Sequence, residues 1–159
     1  RVKHKGSEKE FALKTTFRNS DKFSLSAIEA EVQALRTVSH ANVVVLVDVF
    51  QDNSAVYLVQ ELAVGGDLSD RAFDTNIRLT ETDARRIASQ IFEAVEHLHT
   101  CGVVHRDLKP GNVLMMSNDP DSPKFNDIKL TDFGLSSCKG DLSVNTMVTQ
   151  CGTPDFSVL

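Results

Sequence analysis

The sequence has few of the features that mark secreted or membrane proteins. It contains only three cysteines, at positions 101, 138 and 151, and no two of them form a C-x-x-C pair. An odd, unpaired set of this kind is typical of reduced thiols in an intracellular protein. The charged N-terminal residues lack the apolar core of a signal peptide. No apolar run approaches the roughly 20 residues that span a bilayer. We therefore predict a cytoplasmic protein without a membrane partner.

The sequence also lacks an excess of positive charge. Lysine and arginine number 17 against 22 aspartates and glutamates, which gives a net charge of −5. A nucleic-acid-binding domain usually carries a basic footprint, so we expect no nucleic-acid partner. Hydrophobic residues make up 41% of the 159 residues and charged residues 25%, which is the composition of about one globular domain.

Sequence periodicity predicts a sheet-rich first half. Residues 10–17 alternate as in a half-buried strand, and residues 25–38 have the period of an amphipathic helix. Two β-rich runs, residues 42–50 and 55–62, are separated by a polar turn that predicts a hairpin. The glycine pair in the following stretch VGGD breaks the pattern and predicts a hinge before a helical half.

The second half begins with the clearest predicted helix, between Thr80 and Gly102. Thr80 and Asp83 resemble a capping box, and Gly102 occupies the place of a C-cap glycine. The predicted apolar stripe of this helix consists of Ala84, Ile87, Ala88, Ile91, Val95 and Leu98. Two short strands, residues 112–116 and 127–131, then flank a polar loop.

Chemically useful side chains are concentrated in the segment VVHRDLKPGNVL, residues 103–114. Asp107, Lys109 and Asn112 lie in a loop that packed elements hold at both ends. An aspartate can accept a proton, a lysine can hold a phosphate, and an asparagine amide oxygen can coordinate a metal. Taken alone, this segment can also be interpreted as a charged surface turn.

Two further sites add to this loop. Asp132 opens a D-F-G motif after the second short strand, where the hairpin can bring its carboxylate beside Asp107 to hold Mg²⁺ and polyphosphate. Lys14 lies on a strand, and Glu31 lies on the apolar face of the next helix. Because a buried charge needs a partner, we predict that these two residues pair. Two solvated charges are the alternative interpretation.

Taken together, the motifs resemble the eukaryotic protein kinase domain. Its signature of a strand lysine, a helix glutamate, H-R-D-L-x-x-x-N and D-F-G occurs here in order. The resemblance extends from Arg1 to Phe156 and includes the stretches GGD and CGTPDF. It implies a two-lobed α+β fold with residues 1–61 in the sheet lobe, residues 62–66 as the hinge and residues 67–159 in the helical lobe.

The resemblance assigns roles in phosphoryl transfer from ATP. It implies that Lys14 holds the α- and β-phosphates and that Glu31 positions Lys14. Asp107 would orient the substrate hydroxyl and accept its proton, while Lys109 would steady the transferred phosphoryl group. The protein substrate would present a serine or threonine, because HRDLKPGN and CGTPDF resemble the serine/threonine kinases, in particular the calcium/calmodulin-dependent or cyclic-AMP-dependent groups.

The same resemblance implies the residues that bind the cofactors. Asn112 and Asp132 would bind the two Mg²⁺ ions. The residues implied to contact the nucleoside of ATP are Ala12, Glu61, Ala63, Asp67 and Leu114, with Gln60 behind the adenine. The packed column that joins the lobes would consist of Leu35, Leu46, His105 and Phe133. His105 would therefore be a packing residue.

The resemblance also implies regulation by phosphorylation. An activating kinase would phosphorylate Thr149. The phosphate would then pair with Arg106 and order the loop that contains Thr149. Ser143 and Thr146 are alternative phosphosites. Gly111 stands where the commoner motif HRDLKPEN has a glutamate, so a preference for basic substrates is not supported.

Two expected motifs are missing from the sequence. It has no G-x-G-x-x-G, and FSVL stands where the family's A-P-E begins. We therefore expect a truncated kinase fold without the glycine-rich loop and the C-terminal helices, which folds poorly and has little activity alone. An inactive truncated product and a pseudokinase or scaffold are the alternatives to an active kinase. The filled catalytic positions favour the active kinase as the parent protein.

Overall fold

The first half of the chain forms an antiparallel sheet covered on one face by a helix. The structure is a computed structural model and describes residues 1–21, 23–74, 77 and 79–138. The elements of this half are β1 (Val2–Lys3), β2 (Glu10–Phe17), α1 (Leu25–Thr37), β3 (Leu46–Gln51) and β4 (Ala55–Glu61). The strand order is β1-β2-β4-β3. Ile28 of α1 packs against Val56 and Leu58 of β4, which confirms the predicted amphipathic helix and hairpin.

The second half is built around one long helix. Its elements are α2 (Leu68–Phe73), α3 (Glu81–Thr100), β5 (Val103–Val104), a 3-10 turn (Pro110–Asn112), β6 (Val113–Met115), β7 (Ile128–Leu130) and β8 (Ser137–Cys138). β6 pairs with β7, and β5 pairs with β8, both antiparallel. Within the described ranges, no helix is both long and apolar enough to cross a membrane.

The ends of α3 agree with the sequence prediction, but its buried face is partly different. The Thr80–Asp83 capping box is present, and Gly102 has a φ of +72° just beyond the helix. Ala84, however, is exposed, and Ala94 is fully buried. Helix geometry explains why Ala94 is buried, since it lies nearly two turns after Ile87 and therefore on the same side of the helix. Ile87, Ala94 and Leu98 form the centre of the buried face.

The segment that joins the halves is held against β6 by its glycines. The Gly65 N–H donates to Met115 O at 2.9 Å, and the Met115 N–H donates to Gly66 O at 2.9 Å. A Cβ atom on Gly65 would lie 2.6 Å from Met115 O and 2.7 Å from Ser117 O, so no larger residue fits. Gly66 has a φ of +75°, in the left-handed region that favours glycine.

One large buried cluster extends through both halves. It contains Leu35 of α1, Leu98 of α3, and Phe133 after β7. Leu46 of β3 packs against this cluster and also against the smaller cluster between α1 and the sheet. The sheet is therefore coupled to the helical half through apolar contact, and the polar loops between them are held from both sides.

Candidate active site

Three charged residues from three elements meet at the edge of the sheet. Lys14 Nζ of β2 lies 2.8 and 2.9 Å from the two carboxylate oxygens of Glu31 on α1. The same ammonium lies 2.9 Å from Asp132 Oδ1 in the loop after β7. The Glu31 side chain is buried, and the Lys14 side chain is only partly exposed. The contact predicted between Lys14 and Glu31 is thus present, and Asp132 is an additional partner.

Burial and charge act in opposite directions on this group. Burial disfavours the ammonium form of Lys14, but attraction and hydrogen bonds to Glu31 and Asp132 outweigh it and raise the pKa of Lys14. Burial also raises the pKa of Glu31, and the attraction of Lys14 offsets only part of this effect. Lys14 is therefore a fixed cation at neutral pH, and a ligand phosphate is the kind of anion that it can bind.

A second group of polar side chains lies in the loop between β5 and β6. Lys109 Nζ lies 2.8 Å from Asp107 Oδ2. The Asn112 side-chain N–H groups donate to Asp107 O at 2.8 Å and to Asp107 Oδ2 at 2.9 Å. The 3-10 turn that Pro110 begins brings Asn112 back toward Asp107. The loop is thus fixed in a shape that presents Asp107, Lys109 and Asn112 together, as the sequence predicts.

His105 connects the two groups. Its Nε2–H donates to Thr131 O at 3.0 Å, and its Nδ1 accepts the Asp107 N–H at 3.3 Å. These two bonds define a neutral imidazole with its proton on Nε2. Burial lowers the pKa of His105, although hydrogen bonding and the Asp132 and Asp107 carboxylates oppose the shift. Its ring packs against Phe133 with centroids 4.7 Å apart, so His105 is a packing residue, as predicted.

The backbone is unusual at each of the two aspartate loops. Arg106 has a φ of +63° and Asp132 a φ of +64°, both in the left-handed region. Each such non-glycine residue costs about 1–3 kcal/mol, and strain of this kind is concentrated at functional sites. The Arg106 side chain donates from Nε to Leu135 O at 2.6 Å. Thr149, its predicted phosphate-bearing partner, lies outside the described residues.

The residues predicted to contact a nucleoside lie on β2, β4 and β6 and in the segment that joins the two halves. Ala12 on β2 lies opposite Gln60 on β4, and Leu114 on β6 forms a bridge with Asp67. Asp67 Oδ1 also accepts the Asp70 N–H at 2.9 Å and so caps α2, a role that the sequence analysis did not identify.

Glu61 has a structural partner that the sequence analysis missed. Its carboxylate lies 2.7 Å from Lys129 Nζ of β7 and accepts the Val45 N–H at 2.7 Å. The Glu61 N–H donates to Val45 O at 3.0 Å, so the Glu61 backbone can offer a ligand only its carbonyl. Ala63 lies two residues further, in the segment without regular structure. No sequence pattern links Lys129 to Glu61, because the contact joins two distant strands.

The donor atoms of the site suit a hard cation with few protein ligands. In the described part of the chain, no group of three or more His, Cys, Asp or Glu residues is placed to hold a metal ion. Asp132 provides a carboxylate, and Asn112 provides an amide oxygen because both contacts to Asp107 use its amide nitrogen. Oxygen atoms from one or two side chains, with water and phosphate, are what Mg²⁺ usually takes. The residues present therefore fit Mg²⁺.

Comparison with known proteins agrees with this geometry. The family described as Protein kinase domain matches residues 1–158. Human Serine/threonine-protein kinase H1 is 39% identical over 159 residues, which cover 98% of this chain and 35% of that protein. Calcium/calmodulin-dependent protein kinase type 1 of Macrobrachium nipponense is 40% identical over 145 residues, or 91% of this chain and 40% of that protein. Calcium/calmodulin-dependent protein kinase type IV of Mus musculus is 40% identical over 156 residues, which cover 98% of this chain and 31% of that protein.

The chain spans between 31% and 40% of the length of these relatives. The similarity confirms the predicted resemblance to serine/threonine kinases and to their calcium/calmodulin-dependent group. It also agrees with the observed α+β fold, in which an antiparallel sheet precedes the helices. The chain belongs to the protein kinase domain family.

Proposed function

We propose that this chain carries the catalytic site of a cytoplasmic protein serine/threonine kinase. The reaction transfers a phosphoryl group from ATP to a serine or threonine hydroxyl of a protein. The observation that carries the proposal is that His105 and Thr131 join two groups of charged residues. The first group offers the ammonium of Lys14 as a fixed cation. The second group offers the carboxylate of Asp107 beside the ammonium of Lys109.

Each residue of the first group acts on the nucleotide. Lys14 binds the α- and β-phosphates, and Glu31 holds Lys14 in place through two short contacts. Ala12 and Leu114 contact the adenine ring, Glu61 and Ala63 offer backbone groups to it, and Asp67 binds the ribose. Asp67 supports this role because, within the described residues, the contact that caps α2 uses its Oδ1, and Oδ2 can accept from a ribose hydroxyl.

The second group acts on the protein substrate. Asp107 orients the attacking hydroxyl and accepts its proton, and Lys109 stabilises the charge on the transferred phosphoryl group. Asn112 and Asp132 would hold Mg²⁺, which neutralises phosphate charge when it is bound. Phosphoryl transfer depends mainly on positioned charge, and the contacts among these side chains provide that positioning.

A regulatory phosphate at Thr149 is also part of the proposal. An activating kinase would add it, and the phosphate would then contact Arg106. Arg106 supports this role because its left-handed backbone and its bond to Leu135 O hold the guanidinium against the segment that follows Asp132.

The test is a phosphotransfer assay on the full-length protein with Mg-ATP and a mixture of serine and threonine peptides. Asp107→Asn should lower the rate about 10²- to 10⁴-fold, the usual contribution of a general base. Asp119→Asn is the matched control, because Asp119 is exposed in the loop between β6 and β7. Equal rates in both variants would overturn the assignment of Asp107. A wild-type protein that binds ATP without transferring phosphate would indicate a pseudokinase.

A further inference from the structure

The sheet has a groove on the face that points away from α1, and the proposed reaction does not use it. Along β4, Val56 and Leu58 pack toward α1. Tyr57 and Val59 alternate with them and therefore lie on the opposite face. The groove has a volume of about 540 Å³. Its apolar lining includes Phe11, Leu13, Val47, Phe50, Tyr57 and Val59.

This face is more apolar than a merely solvated sheet face. An antiparallel sheet with one face in water usually alternates apolar residues inside with polar residues outside. Here Phe50 is 56% exposed and Val47 is 48% exposed, both on β3 and both in the groove. A contiguous apolar surface of this kind, with polar residues at its edges, is typical of an interaction site.

The two ends of the groove carry opposite charges. Lys3 and Lys5 line it at the β1 side, and Asp48 lines it at the β3 side. These strands are the two edges of the sheet, so the charges are separated by the apolar lining. Lys3 pairs with Glu8. Lys5 and Asp48 form no ion pair with any residue that the structure describes, which leaves one cation and one anion for a partner.

We propose that the groove binds a peptide segment of another protein. That segment carries two apolar side chains, one of them aromatic, with acidic residues on one flank and basic residues on the other. The apolar pair fills the groove, the acidic flank contacts Lys5, and the basic flank contacts Asp48. Complementary charge at both ends sets the register and orientation of the segment.

The same observations disfavour two other occupants. An anionic membrane would meet Asp48 as well as Lys5, so these two charges together give it no net attraction, and a flat bilayer does not fill a concave groove. A second copy would bring together two recessed faces, each on a chain with a net charge of −5. Both occupants are nevertheless distinguishable outcomes of the experiment.

The experiment measures fluorescence anisotropy of a labelled 12-residue peptide with the full-length protein. The peptide has glutamates at one end, Phe and Leu in the middle, and lysines at the other end. One comparison peptide has serine in place of Phe and Leu, and another has lysines at both ends. We expect both comparison peptides to bind at least about tenfold more weakly, since each loses at least one set of contacts.

Variants of the protein locate the binding surface. Phe50→Ser should weaken binding of the first peptide about tenfold or more. Phe17→Ser is the matched control, because Phe17 lies on the same sheet, is 55% exposed and does not line the groove. Lys5→Glu should weaken the first peptide and improve binding of the peptide with lysines at both ends. All three variants should retain basal phosphotransfer, so a failure of this proposal is separable from a failure of the proposed kinase activity.

Several results would overturn the proposal. One is equal binding of the three peptides, and another is equal loss in Phe50→Ser and Phe17→Ser. Phe50-dependent binding to phosphatidylserine vesicles without peptide binding would assign the face to a membrane. A dimer in sedimentation equilibrium that Phe50→Ser dissociates would assign it to a second copy.

Discussion

His105 shows how burial decides the role of a single titratable residue. Both nitrogens of its ring are engaged, and the ring contacts Phe133, so the imidazole supports two loops and takes no part in proton transfer. A charged imidazole would lose the Asp107 N–H bond, because Nδ1 would then carry a proton. His105 therefore has a structural role in the site.

The lowered pKa of His105 predicts a pH-dependent stability. In the unfolded chain the imidazole binds a proton as the pH falls through its ordinary value of 6.5, whereas the folded chain binds it only at lower pH. Below pH 6.5 the unfolded state holds more protons, so the free energy of unfolding decreases, by up to about 1.4 kcal/mol per pH unit. Above this range His105 adds no pH dependence. Urea unfolding of His105→Phe should show a smaller decrease between pH 7 and pH 5.

A second histidine allows a check on this prediction. Burial, together with His97, lowers the pKa of His40 as well, so His40→Gln should also reduce the slope. His40 is less buried than His105, and the reduction should be smaller. Equal slopes in His105→Phe and the unmodified chain would contradict the assignment of a buried neutral imidazole.

Glu31 provides a second prediction at this scale. Glu31→Gln removes the charge that holds Lys14, and charged hydrogen bonds of this kind contribute about 1.5–3 kcal/mol. Under the proposed function, we expect ATP binding to weaken about 10- to 100-fold, measured by isothermal titration calorimetry. Glu29→Gln is the matched control, because Glu29 is exposed on the same helix. A similar affinity in the two variants would show that Glu31 does not position Lys14.

Among the elements, the segment between β4 and α2 depends most strictly on its sequence. Gly65 approaches the backbone of β6 so closely that Gly65→Ala forces a shift of Met115 or Ser117. Overpacking of this kind costs about 1–3 kcal/mol. Thermal unfolding should show a lower Tm for Gly65→Ala. Gly111→Ala is the control, because its new Cβ would meet only Ser69 Oγ, at 3.8 Å. An equal decrease in Tm in both variants would show that the close approach of Gly65 to β6 is not the cause.

The elements also show which features a sequence can predict. The capping box of α3 and the Lys14–Glu31 contact follow from local spacing and from the cost of an unpaired buried charge, and both are present. Ala94 lies outside the predicted stripe because local spacing does not show which of several alanines on a helix packs against other elements. The Glu61–Lys129 and Lys14–Asp132 contacts join segments that are distant in sequence, so local sequence patterns cannot predict them.

At the scale of the whole molecule, the two halves share their apolar core. Leu46 packs against both buried clusters, so unfolding of the sheet should expose part of the helical half. The chain has one tyrosine, Tyr57 on β4, and no tryptophan. Tyrosine fluorescence therefore reports on the sheet, while circular dichroism reports mainly on α1 and α3.

This arrangement predicts a single cooperative transition. In a urea titration, the two signals should give the same midpoint. Leu98→Ala on α3 should shift both signals together and lower the free energy of unfolding by about 2–5 kcal/mol, because it leaves a cavity at a fully buried site. Phe92→Ala on the same helix is the control, since Phe92 is 72% exposed. Separate midpoints for the two signals would indicate independently unfolding halves.

The contact of Lys14 with Asp132 makes the ammonium an internal counter-ion for the carboxylate proposed to bind Mg²⁺. A phosphate arriving alone would have to draw Lys14 away and leave Asp132 uncompensated. A cation arriving alone at Asp132 would displace Lys14 in the same way. When both bind together, Lys14 pairs with the phosphate and Asp132 pairs with the cation, so none of these four charges is left without a partner. Under the proposed function, the site therefore favours the metal–nucleotide complex over either component, and the two ligands bind with positive cooperativity.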